Sequence, residues 1–388
     1  MFGPAGVFAQ RAYSLIWRGL RRLRPDEVEQ VLHQPENTPA AIFHSQCDAL
    51  VTAAAEALRE GREPEFVEAA AACEAHRPGE TAELACCLAI GGIVRQATQR
   101  LPEWLAHPGG ETAAAARLAY KDVVEISEDA GPRFFRMLAA QMAQPWMVLR
   151  VISAVMDKPT ERYLRDSELA GFADSILDEV DQSLGEIAKL DPDTGPEAGA
   201  AMALKVEHVL QLVMELETCM DLQRETGWGL RIVKQRAGLA SVVEGRLRDA
   251  EKAALDALPT QSERQARIRR SVPKLSGPPD ARLVNRAMTL LSFLDALHGS
   301  ANYGGFGAVR AKVIEKLADH LHHYVEEVLD AIHSEPGAVS ANAEAFLTVA
   351  ADFSRLVSGD KAGELVRRRA HAALYPEAPA QEPQAQAG

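Results

Sequence analysis

The sequence predicts an all-α protein: antiparallel helical hairpins stacked as a bundle or short α-solenoid. Three observations carry this. Apolar residues recur at steps of three and four almost from end to end, alanine is abundant while only 5% of residues are aromatic, and β-branched runs at strand spacing are scarce. The clearest stretch runs from Met288 to Ile332, a helix, a glycine-rich turn and a second helix. In that second helix Val309, Val313, Leu317, Leu321, Tyr324, Val328 and Ile332 fall on one face, with Lys312, Glu315, Lys316, Asp319, Glu326 and Glu327 largely on the other. Gly304, Gly305 and Gly307 sit between the two helices, where reversal of the backbone costs glycine least.

Taken in order, residues 8–24 form a basic amphipathic helix with five arginines and no acid. Tyr13, Ile16, Trp17, Leu20 and Leu23 make its apolar stripe. Pro25 restarts a short helix to about 34. Thr38–Pro39 predicts a start with Thr as cap, and that helix stops at Gly61. Further helices are expected at 65–75, 81–101 and 112–129, the second containing Gly91–Gly92, where a neighbouring helix can approach closely or this one can kink. Gly131–Pro132 closes the third, a new helix starts at Arg133, and Gln144–Pro145 breaks it. After the turn Asp157–Thr160, helices ending at Ile187, Leu258 and Ile332 are separated by loops at 190–196 and 275–280. A last pair is expected at 341–357 and 361–374. The Pro, Ala and Gln content of the end then predicts a disordered tail.

This gives four regions: the basic helix (1–25), an N-terminal helical region (26–130), a helical-hairpin region (131–374) and a tail (375–388). Aligned on their ends, the three long helices place Ile176, Leu247 and Leu321 in register, at offsets of 71 and 74 residues, which predicts an internal repeat longer than the common helical ones.

Composition narrows the function. A formal net charge of −13 disfavours wholesale nucleic-acid binding. Five cysteines without paired spacing make neither a disulfide framework nor a zinc site, and point to a reducing interior such as the cytoplasm. No Gly-x-Ser-x-Gly, P-loop, His-Glu-x-x-His or Cys-x-x-Cys motif occurs, so no cofactor or catalytic residue is assigned.

Four groups of residues remain as candidates. Arg11, Trp17, Arg18, Leu20, Arg21 and Arg22 would contact a partner or an anionic membrane surface at the inner face; docking on the chain's own core and organellar targeting are the competing readings. Arg264, Arg267, Arg269, Arg270 and Lys274 form a basic linker between two hairpins, able to meet an acidic partner. Asp319, His322 and His323 have the spacing of metal ligands on one helix, but the Glu-x-x-His pairs of a di-metal bundle are absent. Asp174, Asp178 and Asp181 stack on one face, as a solvated acidic surface would. The expectation is a non-enzymatic adaptor, scaffold or regulator that binds a protein through a helical groove or flank. The alternatives are a peripheral membrane protein anchored by residues 8–24, and an all-α metal-dependent enzyme.

Overall fold

The computed structural model describes residues 8–106, 109–127, 129–156, 159–265, 268–334 and 340–375; for 262–265, 268–270, 340 and 341 it describes the backbone alone. The fold is all-α, with sixteen α-helices among the described residues. The chain divides into two compact units, 1–179 with 212–231 and 180–211 with 232–388.

The first unit begins with α1 (Gln10–Leu23), α2 (Pro25–Leu32), α3 (Ala40–Glu60), α4 (Pro64–His76) and α5 (Glu80–Ala106). Proline opens α2 and α4, where its missing N–H is no loss. Pro39, not Thr38, is the residue before α3, and no side-chain cap forms there. Gly61 closes α3 with φ +60°, the left-handed cap that glycine adopts most cheaply. The Gly91–Gly92 expectation holds: a Cβ on Gly92 would lie 2.9 Å from Asp48 Cγ of α3. Asp48 is in turn ion-paired with Arg95.

Next come α6 (Gly110–Ile126), α7 (Ala130–Ala139), a 3-10 turn (Pro145–Met147), α8 (Val148–Val155) and α9 (Glu161–Arg165). Gly131 and Pro132 lie inside the first turn of α7 rather than before it, a position where proline is tolerated. Phe135 stacks on Tyr120 at 5.3 Å and meets Phe172 edge-on at 6.3 Å. Parts of α10 (Ala170–Ala188), α11 (Pro196–Cys219) and α12 (Gly227–Ala257) complete the unit. Inside it, Arg150 Nε and Nη2 donate to the buried Glu215 carboxylate at 2.7 and 2.9 Å.

The start of α12 is held from outside the helix. Glu161 is 4% exposed. Its Oε1 accepts from Trp228 N–H at 2.6 Å, and its Oε2 from Gln223 and Gly229 N–H at 3.3 Å each. A carboxylate on the orphan amides of a helix N-terminus complements both their hydrogen bonding and the helix dipole. Gly227, with φ +52°, has no room for a side chain, since a Cβ would fall 1.8 Å from Glu161 Oε1.

The second unit holds the remaining parts of α10, α11 and α12, then α13 (Ala281–Ala296), α14 (Gly307–Ser334), α15 (Ser340–Ser358) and α16 (Asp360–Leu374). Here α11 and α13 cross at Gly199, where a Cβ would lie 2.0 Å from the Thr289 carbonyl oxygen. Thr289 Oγ1 also accepts from Gly195 N–H at 3.0 Å. Asp280 caps α13, accepting from Arg282 N–H at 2.9 Å. In α14, Val313, Leu317, Leu321, Tyr324, Val325, Val328, Leu329 and Ile332 are buried, as their spacing predicts.

The expectation of a loop at 264–274 is corrected. Thr260–Gln265 and Ile268–Pro273 pair antiparallel as β1 and β2, with Arg264 opposite Arg269 and Glu263 opposite Arg270. The pair is a lone ribbon among the described residues, not a layer. The internal repeat is not confirmed: α10, α12 and α14 have 19, 31 and 28 residues, and the hairpin follows α12 with no counterpart after α10. No helix among the described residues is long and apolar enough to cross a membrane.

Candidate partner-docking surface

The amphipathic pattern of residues 10–23 makes α1 a helix, and its inner side fits against Phe66. Ala12, Leu15, Ile16 and Leu20 join the core of the first unit with Val28, Leu50, Leu58, Phe66 and Cys73, and Gly19 is buried among them. A Cβ on Gly19 would lie 2.6 Å from Phe66 Cε2, so glycine lets α4 approach. Each fully buried Leu or Ile contributes about 1.5–3 kcal/mol, so three of them fasten the helix firmly.

The start of α1 is held by a second device. Glu80, wholly buried in the first turn of α5, accepts from Ala9 N–H at 2.7 Å and lies 2.5 Å from His76 Nδ1. Burial raises the Glu80 pKa, but His76 and the Ala9 N–H outweigh it and hold the carboxyl below its ordinary value.

What remains outside is a basic and aromatic arc. Tyr13 is 48% and Trp17 40% exposed, one turn apart, and Arg11, Arg18, Arg21, Arg22 and Arg24 are exposed as well. Some of this charge is spent locally. Arg22 Nη1 donates to Glu65 Oε1 at 3.1 Å, Arg24 to Glu27 at 2.9 Å, and Arg21 stands 3.9 Å from Glu29. A bond with its own backbone, then Arg22, keeps the Glu65 carboxyl below its usual range. Arg11 and Arg18 form no ion pair within 4 Å among the described residues, although Arg18 also helps to hold the Glu65 carboxyl down. Burial, with Cys87, Cys73 and Glu80 nearby, raises the Tyr13 pKa.

Leu20, grouped with the contact residues in the sequence, is 6% exposed and belongs to the core. Its apolar stripe is thus divided: Ile16 and Leu20 inside, Tyr13, Trp17 and Leu23 outside.

The other candidates are placed as follows. His322 and His323 point to solvent, 3.8 Å from Glu326 and 3.7 Å from Glu327, and Asp319 is exposed. His320 turns inward against Tyr324, ring centroids 6.1 Å apart, and burial lowers its pKa. Among the described residues no three His, Cys, Asp or Glu side chains come together to hold a metal ion. The aspartate face of α10 is solvated at Asp178 and Asp181, which are exposed, and each of the three carboxylates also bonds to α12. Asp174 accepts from Trp228 Nε1 at 2.7 Å and Asp178 from Arg231 at 2.6 Å in the first unit, and Asp181 accepts from Gln235 at 2.8 Å in the second.

The basic segment is the hairpin, with Lys274 exposed and its N–H donating to Pro259 O at 2.9 Å; Arg267 lies outside the described residues. Burial pushes the Cys87 thiol up to about 11, and it raises Cys73 and Cys219 too, so none of the three is a ready nucleophile at neutral pH.

No family model matches this chain, no curated protein matches it, and no solved structure matches its fold. Sequence reasoning missed Glu161 and Glu80 because each acts on backbone amides far away in the chain, and no residue spacing announces that.

Proposed function

We propose that this chain is a non-enzymatic helical adaptor that docks an acidic protein partner on the outer face of α1. One observation carries the reading: α1 commits its aliphatic residues to the core and leaves Tyr13, Trp17, Arg11 and Arg18 outside. Trp, Tyr and Arg are the residues that most often dominate protein interfaces. Their cluster is basic on a chain of net charge −13, so it attracts an acidic surface locally, within the screening length. The buried polar groups Glu80, Glu161 and Glu215 are spent on backbone amides, histidine and arginine, which supports binding over catalysis.

A membrane-inserted α1 fits less well. Insertion needs the aliphatic stripe that α1 has already buried, and withdrawing it would uncover Phe66, Val28 and Leu50.

A photo-reactive amino acid in place of Tyr13 tests this in the native cells, with the same group in place of exposed Leu118 as control. A salt-sensitive adduct with an acidic protein, specific to position 13, is expected. Adducts with lipid alone, or equal labelling from both positions, would overturn the reading.

A further inference from the structure

We infer that the partner of the α1 face is an acidic α-helix lying along it, with carboxylates seven residues apart; this rests on the adaptor reading above. Of the five arginines of residues 8–24, Arg22 and Arg24 are ion-paired and Arg21 stands near Glu29. Arg11 and Arg18 are the exposed pair left over. They are two turns apart on one side of the helix, about 10 Å along its axis at ~1.5 Å per residue.

That spacing selects the partner's secondary structure. A helix running alongside repeats a given face every seven residues, at the same ~10 Å. An extended strand shows one face only at ~6.6 or ~13 Å, so it meets both arginines only if their side chains bend off that spacing. Tyr13 and Trp17 add a ridge at i, i+4, the row that interdigitates with the grooves of a second helix. So the two arginines fix the register and the aromatic ridge supplies the buried contact. A second copy of this chain is disfavoured as the occupant, because two chains of charge −13 repel before they meet.

The experiment uses the full-length protein and three probes. The first is a fluorescent peptide with strong helix propensity, Glu at i, i+7 and i+14, and leucines between them. The second has the same composition with the glutamates reshuffled to alternate positions and a central proline. The third is a set of vesicles with and without anionic phosphatidylglycerol. Arg11→Glu/Arg18→Glu and Trp17→Ala are the variants, and all positions changed are exposed, with melting measured beside binding.

The helical peptide is expected to bind at low salt at least tenfold more tightly than the reshuffled one. Both variants should weaken it tenfold or more, with Arg11→Glu/Arg18→Glu melting with wild type and Trp17→Ala only slightly below it. Equal binding of the two peptides, lost in the variants, would overturn the helical partner and leave the acidic-protein reading standing. Binding to anionic vesicles with neither peptide bound would overturn both. Concentration-dependent self-association that vanishes in Arg11→Glu/Arg18→Glu would replace the foreign helix by a second copy.

Discussion

At the scale of single residues, buried carboxylates do the fastening. Glu161 accepts three backbone N–H groups at the α11–α12 connection, two of them buried. Glu161→Ala leaves the buried Trp228 and Gly229 donors unpaired and is expected to lower stability by about 2–3 kcal/mol, read from urea denaturation. Gly227→Ala should also destabilise, because the new Cβ strikes that same carboxylate and φ is +52°. Glu80 brings a pH dependence whose sign follows from its depressed pKa. A carboxyl held below its unfolded value stabilises the fold above that value, ordinarily near 4.3, and loses this as pH falls through the folded value. The melting temperature should therefore drop on acidification below about pH 4, and Glu80→Gln should flatten the drop. None of this was legible in the sequence. A glutamate is drawn to a distant amide by tertiary packing alone.

At the scale of elements, periodicity was a sound guide wherever a helix has one dry face. The buried positions of α14, the pair α15 and α16, and the close approach at Gly91–Gly92 all follow from residue spacing. The β1–β2 hairpin did not, because Gln, Ser, Glu and Arg dominate its alternation and leave no apolar face to read. Nor did the rotation of α1. Its apolar arc is wide, and the close fit of Gly19 against Phe66 goes with Leu15 inside and Trp17 outside. Leu15→Ala should accordingly cost about 2–5 kcal/mol, while Trp17→Ala, whose ring is only partly covered, should cost less, on the order of 1–2 kcal/mol. Equal costs would mean that the helix is turned otherwise. Where α11 meets α13, Gly199→Ala adds a methyl onto the Thr289 carbonyl and is expected to cost on the order of 1–3 kcal/mol despite alanine's better helix propensity.

At the scale of the molecule, an acidic and mainly helical chain carries a strongly basic face at α1. Binding there should weaken steeply with salt, because Arg11 and Arg18 are exposed and screened within about 10 Å at 0.1 M ionic strength. Raising salt from 50 to 300 mM is expected to reduce association more than dissociation changes, measurable by stopped-flow with the helical peptide. The account depends on α1 being part of the folded core with only its outer arc free. Hydrogen exchange of the amides in Gln10–Leu23 tests that directly. Protection comparable to that of α3 and α5 is the predicted result; exchange at the rate of a free peptide would contradict it.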